Sequence, residues 1–378
     1  MRELPLLSPK LPAPGSPTRY TLPVPWNKLA LLLPMPLPNS VGMLTLDDAL
    51  WRLELKGPEL QRVQVDKEFT NQVSGGRLHA MTPPGPETLA WLQSRVIVLY
   101  DLEWKDALEY WVVGDLEEVG SAARWISLEP RVAAIRIEDS TNYLANDRLD
   151  YRFRSYRLEA GEKGDEDGQS VLLGTLELGA MLPASSAWDA GGGLLALIRS
   201  GKLEVYGPEL GKPKPEHPLA LAAGKLLKEG GLTPHSVRLH PTRPIALLAL
   251  GRAVPPSKKE EQTPAGVWCV DWGSKAPRST PLVELPAGQE VQLGAFSPEG
   301  DWVYYRAESA MRMHLYVQQL GDTPGKPMYL GELPSSYDIF WTREPVALVA
   351  LERVPEGLSK LVRWNMAQPP AAPGKVKP

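Results

Sequence analysis

Short apolar runs follow one another along the whole chain, each bounded by Pro, Gly, Asp or Ser: VGMLTL, RVIVLYDLE, RVAAIRIED, YRFRSYRL, KLEVYG, GVWCVDW, DWVYYRAE and HLYVQQL. They are rich in Val, Ile, Leu, Tyr and Trp and lack a sustained 3.6-residue stripe, so they predict β-strands. One segment differs. LALAAGKLLKEGG (219–231) combines helix-forming residues with a terminal Gly pair and predicts a short helix. Many short strands with regular turn signals mean an all-β sandwich, barrel or propeller.

A repeated pattern separates these three. A short strand ends on a bulky residue, a four-residue turn follows, and an apolar strand comes next. The pattern reads AF-SPEG-DWVYY at Phe296, FW-TREP-VALVA at Trp341, LH-PTRP-IALLA at His240 and AW-DAGG-GLLAL at Trp188. More degenerate copies are IS-LEPR-VAAIR at Ser127, PV-PWNK-LALLL at Val24 and MT-PPGP-ETLAWL at Thr82. These seven anchors are spaced about 53 residues apart on average, slightly longer than a compact four-stranded blade of roughly 40–45 residues. The best copy lays out as VQLGAF (291–296), DWVYYRAE (301–308), HLYVQQL (314–320) and PMYLGEL (327–333). Such a meander cannot bury both its faces alone and must stack against neighbours. The expected fold is a single seven-bladed β-propeller of four-stranded antiparallel blades over 1–366, followed by a Pro-rich tail, 367–378.

Ring closure is expected from the N-terminus. After Trp341 only two further strands are evident, and QPPAAPGKVKP is a poor ladder strand. Two fourth strands end in the same tripeptide, at VELP (283–286) and GELP (331–334), and RELP (2–5) ends likewise. Residues 1–7 are therefore expected to pair with blade seven, with 8–19 as a Pro-rich connection.

FSPEGDWVYY followed by LYVQQL resembles the WD-like repeat of TolB-type bacterial β-propellers, whose units read F-S-P-D-G-K and then L-Y-V-x-D. Glu299 and Gln319 stand where that family carries Asp. The strong match covers one unit. The resemblance implies the propeller fold. For some bacterial propellers it further implies a partner that is a MoxR-type ATPase or a von Willebrand A-domain protein.

Composition narrows the function classes. Lys+Arg 41 against Asp+Glu 45 gives a net charge of −4, so there is no global basic field for nucleic acid or anionic membranes. The prolines of the N-terminal segment interrupt any signal-peptide core, and no apolar run approaches the ~20 residues of a membrane span, so a soluble, cytoplasmic location is expected. With one cysteine there is no internal disulfide and no four-Cys zinc site. Cys269 lies mid-strand in GVWCVDW and reads as a small buried hydrophobe. Of five histidines, His235 and His240 should point to opposite sides of one strand, and His240 occupies the anchor position that Phe296 and Trp341 fill. No phosphate loop, Gly-x-Ser-x-Gly elbow or zinc motif occurs, so no cofactor and no catalytic or metal site is expected. The acidic run 161–169 reads as a hairpin tip. Trp91, Trp111, Trp268, Trp302 and Trp364 fall in strands as packing between blades. In YRFRSYRL (151–158), Arg152 and Arg154 share one side, as on a half-exposed strand.

Loop length then points to function. The turns between first and second strands are tight, whereas PMPLPNS (34–40), DSTNYLANDRLD (139–150) and RAVPPSKKEEQTPAG (252–266) are long and are read as second-to-third-strand connections. Long loops on a rigid scaffold are where recognition concentrates. The expected function is a non-catalytic scaffold or subunit of a bacterial multiprotein assembly, binding another protein through Asn142, Tyr143, Asn146, Lys258, Lys259 and Arg312, with the acidic 161–168 hairpin on the opposite face. The alternatives are a small-molecule or peptide sensor using the central channel, and third a propeller-type hydrolase or lyase.

Overall fold

The computed structural model describes residues 6–8, 11, 13–46, 49–56, 59–65, 77–112, 117–141, 149–159, 168–252, 265–285, 290–309, 312–321, 324–333, 338–352 and 357–366. After an initial strand β1 (Thr18–Thr21), seven antiparallel sheets succeed one another. Blade one is β2 (Leu29–Pro34), β3 (Ser40–Thr45), β4 (Leu50–Lys56) and β5 (Glu59–Gln64). Blade two is β6 (Leu78–Ala80), β7 (Thr88–Gln93), β8 (Val96–Asp101) and β9 (Asp106–Trp111). Blade three has the longest strands: β10 (Glu118–Leu128), β11 (Arg131–Asp139), β12 (Asp150–Glu159) and β13 (Gln169–Gly179). Blade four is three-stranded, with β14 (Trp188–Gly191), β15 (Leu194–Arg199) and β16 (Lys202–Tyr206). Blade five is β17 (Thr233–Leu239), β18 (Ile245–Gly251), β19 (Gly266–Asp271) and β20 (Arg278–Glu284). Blade six is β21 (Val291–Phe296), β22 (Trp302–Ser309), β23 (Arg312–Gln319) and β24 (Met328–Leu333). Blade seven is β25 (Ile339–Thr342), β26 (Ala347–Glu352) and β27 (Lys360–Asn365), with β1 as its outer strand.

Seven apolar clusters, each shared by two consecutive blades, close these sheets into a ring. The cluster between blades seven and one joins Val349, Leu351 and Leu361 to Leu32, Met43 and Leu53. Because each blade is covered on both faces, a run of four or more consecutive residues in its second strand is buried. Leu194–Leu197, Ala246–Leu250 and Ala347–Leu351 are all buried, which is why these runs read as continuous apolar stretches instead of alternating.

The helix α1 (Pro218–Gly230) takes the place of a fourth strand in blade four and packs against β16, β19 and β20. Pro218 sits in its first turn, His217 Nδ1 accepts a hydrogen bond from the Leu219 N–H at 3.2 Å, and Gly231 ends it at φ 57°. Leu219, Ala223 and Leu226 form its buried face at helical spacing.

Two expectations about the N-terminus change. The strand on the edge of blade seven is Thr18–Thr21, paired antiparallel from Thr18↔Arg363 to Thr21↔Lys360, not residues 1–7. Leu6 instead forms a parallel bridge with Glu284 on the edge of blade five, and Leu7 N–H donates to the Glu284 carbonyl at 3.1 Å. Residues 1–5 lie outside the described residues, as does the tail 367–378. The physical reason is proline. TRYT has none and offers every N–H to a ladder, while Pro5 and Pro9 interrupt the earlier segment. As a consequence LALLL (29–33) belongs to the innermost strand of blade one instead of its second strand, and the repeat copy at Val24 precedes that strand as a linker. The connection 34–40 therefore joins first and second strands and leaves the set of long second-to-third-strand loops.

Candidate partner-binding face

In an antiparallel meander the second-to-third-strand connections and the links between blades emerge at one end, and the first-to-second-strand turns at the other. The 139–150 connection joins β11 to β12 and the 252–266 connection joins β18 to β19, so both start and finish at the first end. Asn142, Tyr143, Asn146, Lys258 and Lys259 lie outside the described residues. Arg312 opens β23 directly after the corresponding turn of blade six, paired with Ser309. The acidic run 161–168 joins β12 to β13 and, except for Gly168, also lies outside the described residues.

The root of the 139–150 connection is built from charge. Asp139 Oδ1 accepts the Thr141 backbone N–H at 2.9 Å and the Thr141 hydroxyl, and its other oxygen accepts Arg152. Burial pulls the Asp139 carboxyl upward, but the Thr141 hydrogen bonds and the Arg152 and Arg154 charges outweigh it and hold the group below its ordinary value. Glu118, with its side chain 2 % exposed, accepts both terminal nitrogens of Arg154 at 2.6 and 2.7 Å and Arg152 at 3.1 Å. Such a bidentate pair fixes orientation as well as charge. Ser140 Oγ donates to the Glu117 carbonyl at 3.0 Å and ties the loop to the adjoining link. Arg152 and Arg154 share a side of β12, as the strand alternation requires, and both are ion-paired. They form the stem of a loop.

Nearer the centre of the ring, the link into blade four is clasped by arginines that sequence reasoning did not single out. Arg124, on β10, stacks 4.3 Å over the Trp188 ring, pairs with Asp189 at 2.5 Å and donates to the Ser185 carbonyl at 2.8 Å. Arg238, on β17, is 7 % exposed and reaches the carbonyls of Ser185 at 3.4 Å and Trp188 at 3.2 Å. Two guanidinium groups from different blades thus share two carbonyl acceptors. Asp189 Oδ2 accepts the Leu239 N–H at 2.7 Å, locking blades four and five in register. The only sequence signal was an arginine inside each of the otherwise apolar strands RWIS and VRLH.

The remaining candidates are structural. His240 is buried, packs 5.0 Å from the Phe296 ring, accepts the Thr242 and Arg243 backbone N–H groups at Nδ1 at 3.0–3.1 Å, and has Arg243 Nε 2.9 Å from its Nε2. Burial and the Arg243 charge push its imidazole down to about 4, so it is neutral at pH 7. Gly300 of the next blade, at φ +83°, approaches so closely that a Cβ there would meet the ring at 2.2 Å. Cys269 is partly buried against the cluster between blades five and six, and burial raises its thiol to about 11, against nucleophilic use. Among the described residues, no group of three or more His, Cys, Asp or Glu side chains is arranged to hold a metal ion, and no helix is long and apolar enough to cross a membrane.

No family model and no curated protein matches the chain. Solved structures do. One is a chain from a crystal structure of a mitotic checkpoint complex, at 13 % identity and TM-score 0.48, covering 96 % of this chain and 99 % of that one. The β-propeller domain of Cps50 (Swd1) from Myceliophteria thermophila matches at 13 % identity and TM-score 0.45, covering 92 % and 98 %. The WD40 domain of SCAP from fission yeast matches at 11 % identity and TM-score 0.47, covering 92 % and 87 %. At these values the strand order and the seven shared clusters, not the likeness, establish this chain as a seven-bladed β-propeller.

Proposed function

We propose that this propeller is a non-catalytic scaffold or subunit of a bacterial multiprotein assembly and engages another protein through the face that carries the 139–150 and 252–266 connections. Asn142, Tyr143, Asn146, Lys258, Lys259 and Arg312 are the proposed contact residues, and an ATPase or a von Willebrand A-domain protein is the proposed class of partner. One observation carries this reading. The 139–150 connection rises from a base in which Glu118, Asp139, Arg152 and Arg154 are ion-paired to one another. A long loop on a rigid, charge-neutralised stem keeps the cost of ordering low when a partner docks.

The test is site-specific photo-crosslinking in the native host. A photoreactive residue replaces Asn142, Lys258 or Trp104 in turn. Trp104 is 80 % exposed and lies in the β8–β9 turn, at the other end of the ring. Crosslinks to one discrete protein from positions 142 and 258, and none from 104, are expected. Crosslinks from 104 alone, or from none of the three, overturn the proposal.

A further inference from the structure

Ahead of the closing strand, the N-terminal arm drops into the outer rim between blades five and six. Leu6 forms a parallel bridge with Glu284 at the end of β20, and the Leu7 N–H donates to the Glu284 carbonyl at 3.1 Å. Leu7 is 1 % exposed, in one cluster with Leu282, Leu285 and Tyr316. Leu11 packs against the same cluster, and its N–H turns back to the Ser8 carbonyl at 3.1 Å. The arm therefore sits as an extended peptide sits in a groove, meeting a sheet edge with its main chain and burying leucines beside it.

The fit is incomplete in two respects. Pro5, Pro9 and Pro12 carry no N–H, so the arm cannot extend its pairing far along β20. The second concerns Tyr316, which is fully buried while its hydroxyl has no hydrogen-bond partner among the described residues. The adjoining Tyr329, its ring 5.2 Å away, meets His314 Nδ1 at 3.1 Å. Burial pushes the Tyr316 hydroxyl up to about 12, so it stays a donor at neutral pH. A buried donor left unmet is a standing cost that an acceptor on an incoming chain would relieve.

We infer that this rim groove is a second docking site, for an extended leucine-bearing segment of a partner protein that also brings an acceptor to the Tyr316 hydroxyl, and that the N-terminal arm fills it until displaced. The site does not rest on the loop contacts proposed above. A partner segment fits better than the arm of a second copy, because that arm would bring the same leucines and leave Tyr316 unmet again. Leu7 and Thr18 are separated by the ten residues 8–17, four of them proline. A short tether holds the arm at an effective concentration of about millimolar, so a partner segment wins where its contacts outweigh that advantage. Displacement leaves the ring shut, because Thr18–Thr21 keep their own ladder to β27 and Tyr20 and Leu22 their own cluster.

Hydrogen exchange on the unaltered chain is the first test. The Leu7 amide should exchange at least about tenfold faster than the Leu22 amide, which donates to the Ser359 carbonyl at 2.9 Å. Equal rates would mean that the arm opens only with the ring, and would overturn the inference. The probe for binding is the fluorescein-labelled peptide ELPLLSPKLPA, residues 3–13, followed by anisotropy. The full chain carrying Leu7→Ala/Leu11→Ala, its fold checked by circular dichroism, should bind this peptide at least about tenfold more tightly than the unaltered chain. No binding by the folded variant overturns the inference. Among peptides that keep both leucines and vary the other positions, some should bind more tightly than ELPLLSPKLPA. These should lose at least about fivefold when Tyr316→Phe, which removes only the hydroxyl, is added. A groove that prefers its own sequence, or best binders indifferent to Tyr316→Phe, overturns the inference in favour of a purely structural arm. A full-chain dimer in light scattering that vanishes in Leu7→Ala/Leu11→Ala overturns it in favour of arm exchange between copies.

Discussion

Truncating Tyr20 tests how the ring is held shut. Tyr20 is 2 % exposed and Leu22 fully buried, and both pack in the cluster that joins blade seven to blade one. The closing strand is only the four residues Thr18–Thr21, so its hold depends heavily on these two side chains. Removing a large buried aromatic side chain costs about 3–5 kcal/mol. That is a large part of a typical total stability of about 5–15 kcal/mol. Tyr20→Ala should therefore move the guanidinium midpoint far down. Hydrogen exchange should quicken first in β27, whose outer edge it uncovers. Leu7→Ala is the internal comparison. Leu7 is 1 % exposed in the cluster between blades five and six, so its loss should cost about 2–5 kcal/mol but open β20 instead of β27. If Tyr20→Ala costs less than about 1 kcal/mol, or if Leu7→Ala frees β27, then closure does not come from Thr18–Thr21 and the assignment of blade seven fails.

Other outcomes follow from single contacts. Arg363 is 6 % exposed and donates across the ring joint to the Leu55 carbonyl at 3.2 Å and to the Asn39 side chain; Arg363→Met should cost about 2–4 kcal/mol by leaving those acceptors unpaired, measured by urea denaturation. His240 titrates at about 4 when folded and near 6.5 when unfolded, so the unfolded chain binds the proton first. The stability from a neutral His240 is present above about pH 6.5 and is lost as pH falls toward 4, by up to about 3 kcal/mol; His240→Phe should flatten the stability-versus-pH slope in that window, and an unchanged slope would rule out this group as its source. Cys269, with its thiol raised to about 11, should react with iodoacetamide at pH 8 far more slowly than a free thiol, and Cys269→Ser should leave partner capture intact at a modest cost in stability.

The propeller could be read from the chain because its evidence is local. Anchor, tight turn and apolar strand lie within a dozen residues of one another at Phe296, Trp341, His240 and Trp188, and each marks a first-to-second-strand turn in the structure. The helix was equally legible, since helix-forming residues and the terminal Gly pair of 219–231 mark it without reference to its neighbours. Strand pairing across the ring joint had no such local mark. RELP and TRYT are both plausible edge strands by composition, and only the ladder to β27 and the packing of Tyr20 and Leu22 choose between them. That choice then shifted the whole of blade one by a strand, because an apolar run buried on both faces looks the same whether it is first or second in its blade. The arginines at the centre were hidden for a related reason. One charged residue per apolar strand is unremarkable in the sequence. Arg124 and Arg238 stand 114 positions apart, and only closing the ring brings both to the Ser185 and Trp188 carbonyls. Local propensity and burial pattern decide which segments are strands. Which edges meet, and which charges must then share a space, depends on long-range packing that no window of the sequence contains.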